Sequence, residues 1–133
     1  MPHVRIYATA GRTPDEKRAL MLAAHHSLVE ALGIPEWDQQ VRLVELDPAN
    51  VLLPDENDAT TYVLVEVTGY PRSLEVKREL YAALVRNLKV AGVAPDDTKI
   101  TYHDVPPESW GVQGGIAGSD VLAQGSGNWT AKY

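Results

Sequence analysis

Residues 1–20 read MPHVRIYATAGRTPDEKRAL, and residues 60–80 read TTYVLVEVTGYPRSLEVKREL. The two stretches are versions of one phrase, and their agreement decides the fold. Val4, Ile6 and Ala8 match Val63, Val65 and Val67 at an offset of 59. One insertion later, Arg12, Thr13, Lys17, Arg18 and Leu20 match Arg72, Ser73, Lys77, Arg78 and Leu80 at 60. Gly33 and Asp38 then match Gly92 and Asp97, and Val41, Glu45 and Pro48 match Ile100, Asp104 and Pro107, again at 59. Such self-similarity marks an internal duplication.

Each copy has the same grammar. VRIYA and YVLVEV alternate or run apolar over five or six residues, as strands do. Thr13 and Ser73 are placed to cap a following helix, with Asp15, Glu16 and Glu75 in the first turn, where the helix dipole favours acids. A helix of about seventeen residues is expected in each copy, with Leu20, Met21, Ala24, Leu28, Ala31 and Leu32 on one face of the first. Leu80, Tyr81, Leu84, Leu88 and Ala91 do the same in the second. Gly33 and Gly92 stop these helices, and Pro35 and Pro95 forbid their continuation. QQVRLVEL and TKITYHDV supply the second strands.

The chain is therefore read as one α+β domain. Residues 1–48 form the first βαβ copy, 49–60 a linker, 61–107 the second copy, and 108–133 a Gly- and Ser-rich C-terminal arm or short hairpin. Right-handed parallel crossovers put both helices on one face of a four-stranded sheet. The opposite face is left to be covered by another chain, so oligomerisation is expected.

Composition sets the outer limits. The chain has 133 residues, 44% apolar and 23% charged, which suits a folded globular protein. A net charge of −6 with no basic run argues against nucleic-acid binding. The absence of cysteine excludes disulfides, thiolate metal sites and cysteine nucleophiles, and fits a reducing compartment. No apolar run approaches the ~18 residues of a membrane span, and no signal-peptide pattern opens the chain. A cytoplasmic protein is expected. There is no Phe beside six Tyr and three Trp, a bias without a physical explanation.

The leading Met-Pro, GRTPDEKRAL, AAHHSLVEALGIPEWD, YPRSLEVKRELY and ESWGVQGG together resemble the tautomerase superfamily, most closely its malonate semialdehyde decarboxylase-like branch. The resemblance covers residues 1 to about 118. It implies a homotrimer with sites between subunits, no cofactor or metal, and chemistry run by the amino-terminal proline once Met1 is removed. Thr61 occupies the position of Pro2 in the second copy. Only a chain terminus can present proline as a basic secondary amine, so one copy is chemically active and the other structural. Such an amine titrates near ~8, and burial lowers that value. Neutral, Pro2 is a general base for moving a proton alpha to a carbonyl. Protonated beside a carboxylate, it is a fixed cation that polarises a carbonyl oxygen.

The resemblance extends to further residues. Arg72 matches the family arginine that binds substrate carboxylate, a task suited to its planar fork. Its counterpart Arg12 is expected to be structural or at a rim. Asp38 matches an aspartate near the proline amine, and its counterpart Asp97 is expected to be a turn residue. Trp110 matches a pocket-wall tryptophan, with Val112 where that branch has Phe. Tyr70 stands where the decarboxylases carry a second arginine, which weakens the case for decarboxylation. His25 matches a helix histidine that helps bind carboxylate in a related dehalogenase, while a half-buried structural role is the competing reading. His25 and His26 diverge by about 100° on a helix and cannot chelate one ion. Trp37 and Trp129 are expected to pack or sit at a rim, and one of Tyr102 and His103 to face the pocket. GGIAGS lacks the lysine and the context of a phosphate loop.

The expected chemistry is keto–enol tautomerisation of a small oxo-acid or enol-acid, with Pro2, Arg72 and Asp38 catalytic and Tyr70, Trp110 and His25 contacting substrate. Decarboxylation or hydration with a cationic proline is the alternative. A non-enzymatic binding role like that of macrophage migration inhibitory factor comes third.

Overall fold

The computed structural model describes residues 2–125, so Met1 and Trp129 lie outside the described residues. Strand β1 (His3–Thr9) is followed by helix α1 (Pro14–Leu32) and strand β2 (Val41–Leu46). The second copy gives β3 (Val63–Gly69), α2 (Leu74–Val90) and β4 (Thr98–Asp104). A two-stranded hairpin, β5 (Gly111–Val112) and β6 (Ile116–Ala117), and a short helix α3 (Gly118–Ala123) close the described chain.

The local signals act as their chemistry dictates. Thr13 accepts from the Glu16 N–H and the Glu16 carboxylate accepts from the Thr13 N–H, a capping box that starts α1. Ser73 accepts from the Val76 N–H at the start of α2. Gly33, at φ 70°, ends α1 with its N–H on the Val29 carbonyl. Gly92, at φ 97°, follows α2 by two residues in a Schellman arrangement, Val93 N–H to Leu88 O and Gly92 N–H to Lys89 O.

The four long strands form one mixed sheet in the order β2-β1-β3-β4. Within each copy the strands run parallel, and β1 meets β3 antiparallel. Val4 pairs with Val67 and Ala8 with Val63. The repeat equates Val4 with Val63 and Ala8 with Val67, so the pairing exchanges equivalent residues. That exchange is a local two-fold axis, passing between Ile6 and Val65.

Alternation then assigns the faces. Val4, Ile6, Ala8, Val63, Val65 and Val67 are buried against the helices. Leu20, Leu28, Leu80, Leu84 and Leu88 meet them from α1 and α2. The helices are also clamped to each other: the Ser27 hydroxyl donates to the Ala23 carbonyl (2.8 Å) and accepts from Asn87 Nδ2 (2.9 Å). On the far face, Arg5 pairs with Glu66 across β1 and β3. Linker residues Val51 and Leu53 border an apolar groove there of about 310 Å³, together with Tyr7, Leu46, Tyr62 and Leu64.

Candidate active site

The two-fold axis brings the start of each inner strand beside the end of the other. His3 pairs with Thr68, so Pro2 falls opposite Gly69, at the point where β3 runs on to Tyr70 and Arg72. Pro2 is buried there. Gly69 is required by close approach: a Cβ on it would lie 2.6 Å from the Tyr102 hydroxyl and 3.4 Å from Pro2 Cβ. Copy one has Ala10 at the equivalent position, where β2 offers Leu43 in place of Tyr102.

Tyr102 was only half anticipated from sequence, by its alternation with His103. In the structure it is central. Its hydroxyl donates to the Tyr70 carbonyl (2.7 Å) and is hydrogen-bonded by the Arg72 side chain. Burial pushes the phenol above its ordinary value, against the opposing pull of Arg72, so it stays protonated at neutral pH. Arg72, 7% exposed, is also held by its backbone, whose N–H donates to Asp104 Oδ1. Asp104 pairs in turn with Lys77, whose ammonium lies over the Tyr102 ring. The side chains of Arg72 and Tyr102 therefore share one hydrogen-bonded group at the mouth of β3 and β4.

Trp110 and Tyr70 form the adjoining wall. Their rings meet edge-on at 5.7 Å, and His3 packs on Trp110 at the same centroid distance. Trp110 Nε1 donates to the Val105 carbonyl. Gly118 fits beneath them, since a Cβ there would lie 2.7 Å from both the Tyr70 hydroxyl and the Pro107 carbonyl. The GGIAGS segment is thus a close-packing device that lays α3 against the wall.

Asp38 and His25 belong with the turn that leads into β2. Val4 pairs with Val41 in parallel and its N–H donates to the Gln40 carbonyl, which brings the Asp38 turn to the start of β1. Asp38 is 8% exposed; its N–H closes a turn on the Pro35 carbonyl. It lies in that turn and not in β2, which begins at Val41. His25, 2% exposed, donates from Nε2 to the Glu36 carbonyl (2.9 Å) in the same turn. Between them Trp37 stands 76% exposed.

The second copy shows what such a site becomes without a terminus. Arg12 Nη2 donates to the Thr61 carbonyl (2.9 Å), and the Thr61 hydroxyl donates to Asp97 Oδ2 (3.2 Å). Arg12, Thr61 and Asp97 are the counterparts of Arg72, Pro2 and Asp38. Asp97 also accepts from Asn57 and from the Asp58 N–H, which ties the linker down. Asp97, expected as an ordinary turn residue, is the hub of that attachment. Among the described residues no cluster of three or more His, Cys, Asp or Glu side chains is arranged for a metal ion. No helix among them is long and apolar enough to cross a membrane.

A family model described as tautomerase enzyme matches residues 38–113, more than half of the chain. The chain belongs to the tautomerase family. A second tautomerase model matches residues 2–57. A probable tautomerase of Bacillus subtilis (strain 168), YrdN, is 26% identical over 116 residues, covering 83% of this chain and 89% of that one. Malonate semialdehyde decarboxylase is similar in structure at a TM-score of 0.80 and 26% identity, over 92% of this chain and 98% of that one. A fused 4-OT solved as a symmetric trimer matches at 0.77 and 26% identity, over 87% and 95%. The resemblance to the tautomerase superfamily and its decarboxylase-like branch is thereby upheld, as is the α+β fold.

Proposed function

We propose that this tautomerase works without a cofactor on a short oxo-acid or enol-acid, using the Pro2 amine freed by removal of Met1. The observation that carries this reading is the bonded set Arg12–Thr61–Asp97. The two-fold axis relates it to Arg72, Pro2 and Asp38, and this bonded set supports the same gathering of an arginine and an aspartate around Pro2. In the active copy that residue is a secondary amine in a buried setting. Burial disfavours the cation and lowers the amine pKa, leaving a neutral base at working pH. Arg72 grips the substrate carboxylate, Pro2 takes the proton alpha to the carbonyl and returns it to oxygen or carbon, and Tyr70 and Trp110 shape the pocket. The described chain has its far sheet face open, and the fused 4-OT relative is a trimer, which supports a homotrimer with sites between subunits.

A second reading is favoured by the likeness to malonate semialdehyde decarboxylase and by Asp38. Here Asp38 raises the amine pKa, and a cationic Pro2 polarises the carbonyl while the bond to the departing CO2 breaks. Tyr70 supplies no second cation, which counts against this reading. N-terminal mass and covalent labelling test both. An alkynyl 2-oxo acid should add once to the Pro2 nitrogen of Met1-free protein and abolish activity in proportion. Active protein that retains Met1 overturns both readings.

A further inference from the structure

We infer that His25 is a positioning residue that holds the Asp38 turn against Pro2, an inference that rests on the reading of Pro2 and Asp38 above. The ring is 2% exposed in the middle of α1. Its hydrogen bond runs from Nε2 to the Glu36 backbone carbonyl, at 2.9 Å. That bond fixes the tautomer, because a carbonyl can only accept. Nδ1 is buried and has no hydrogen-bond partner among the described residues. A ring so enclosed does not present a nitrogen to a substrate carboxylate; it presents a donor to the loop.

The loop needs such an anchor. Between Ile34 and Val41 its own backbone supplies two short-range bonds, Asp38 N–H to Pro35 O and Gln39 N–H to Trp37 O. Those close the turn on itself without fixing it to the body of the protein. Val4 N–H to Gln40 O on the strand side and His25 to Glu36 on the helix side both do so. Asp38 lies between the two attachments. Glu36 also faces the His25 ring with its carboxylate, at 3.7 Å, but that side chain is largely exposed, so its contribution is small. Charged and titratable groups at this end of the sheet include His3 and Arg5 on β1, Arg42 on β2, Asp38 and Glu36 in the turn, Arg72 and Lys77 at the start of α2, and Tyr102, His103 and Asp104 on β4. Asp38 comes from the turn that His25 holds.

The test uses the Met1-free full chain and two readouts, kcat and KM separately, and the pH dependence of alkylation at the Pro2 nitrogen. His25→Leu removes the donor from a buried apolar setting. It should lower kcat about ten- to a hundredfold with little change in KM, the cost of a misplaced catalytic group. It should also shift Pro2 alkylation to lower pH, in the direction that Asp38→Asn shifts it. His25→Gln, which carries a donor to the same carbonyl, should recover most of both. Glu36→Ala keeps the carbonyl and should behave as wild type. A loss confined to KM, with the alkylation profile unmoved, overturns the inference and makes His25 a carboxylate contact. A shift by Asp38→Asn without one by His25→Leu also overturns it while leaving the Pro2–Asp38 reading intact. If Asp38→Asn moves nothing, that underlying reading fails first and takes the inference with it.

Discussion

Gly69 and Arg72 stand three residues apart, yet the sequence exposes their roles very unequally. Arg72 is legible because a guanidinium at a strand–helix junction, in a repeat, has a nameable use. Gly69 is not, because its reason is an oxygen on another strand, and the pairing of Gly69 with Asp104 in β3 and β4 is invisible before folding. Tyr102 was hard to place for the same cause: alternation along a strand fixes one of two faces without saying which. His25 offered two readings in the sequence, ligand contact by resemblance and a structural role, and its buried ring on α1, bonded to the Glu36 carbonyl, supports the structural one. Three outcomes belong at this scale. Gly69→Ala forces the Tyr102 hydroxyl away from the Tyr70 carbonyl and should cost roughly 1–3 kcal/mol in a denaturant titration, as overpacking does. Arg72→Ala should lower kcat/KM about ten- to a hundredfold, chiefly through KM, with Arg72→Lys recovering only part because it lacks the planar fork. Pro2→Ala leaves a primary amine and should reduce kcat about a hundredfold, read by steady-state assay on a simple enol-acid.

Helices and strands were the most readable layer, since capping residues, glycine stops and apolar spacing are local signals repeated twice. The capping box at Thr13 and the left-handed Gly33 stand where those signals put them. The antiparallel meeting of β1 and β3 is a tertiary choice that no single segment announces, and the site's assembly depends on it. The linker carries no signal of its attachment, yet Asp97 fastens it through Asn57 and Asp58, and accepts from Thr61 beside it. The Asn57 bond leads the causes that hold Asp97 below its ordinary 3.8, with Asp58 and Thr61 assisting and burial opposing. A carboxylate depressed in the folded state contributes stability that is fully present above its unfolded value and is lost as pH falls through the folded one. Asp97→Asn should therefore be less stable than wild type at neutral pH, with the gap closing as pH drops below 3.8. Thermal melts across that range check it. Ser27→Ala removes the acceptor of Asn87 between the helices and should cost about 1 kcal/mol without touching catalysis.

At the scale of the molecule, duplication accounts for the proposed division, with chemistry at one end of the sheet and the other end stitched shut by Arg12, Thr61 and Asp97. Each end receives a strand start, an arginine and an aspartate. In the proposed function only the first copy offers a free amine, at Pro2, while Asp97 in the second is spent on the linker and on Thr61. The proposed assembly is legible only as an uncovered sheet face, because a single chain does not carry its neighbour's surface. A charge placed in that apolar groove, as in Leu64→Lys, should convert a species of about three chain masses into monomers by analytical ultracentrifugation and remove activity with it. The central claim, a neutral secondary amine at work opposite Arg72, is met most directly by titrating the Pro2 nitrogen with ¹⁵N NMR in Met1-free protein. The account predicts a transition below neutrality that coincides with the acidic limb of the kcat/KM profile. A transition at or above the ordinary ~8 of a free terminus, with no matching limb in the rate, would contradict it.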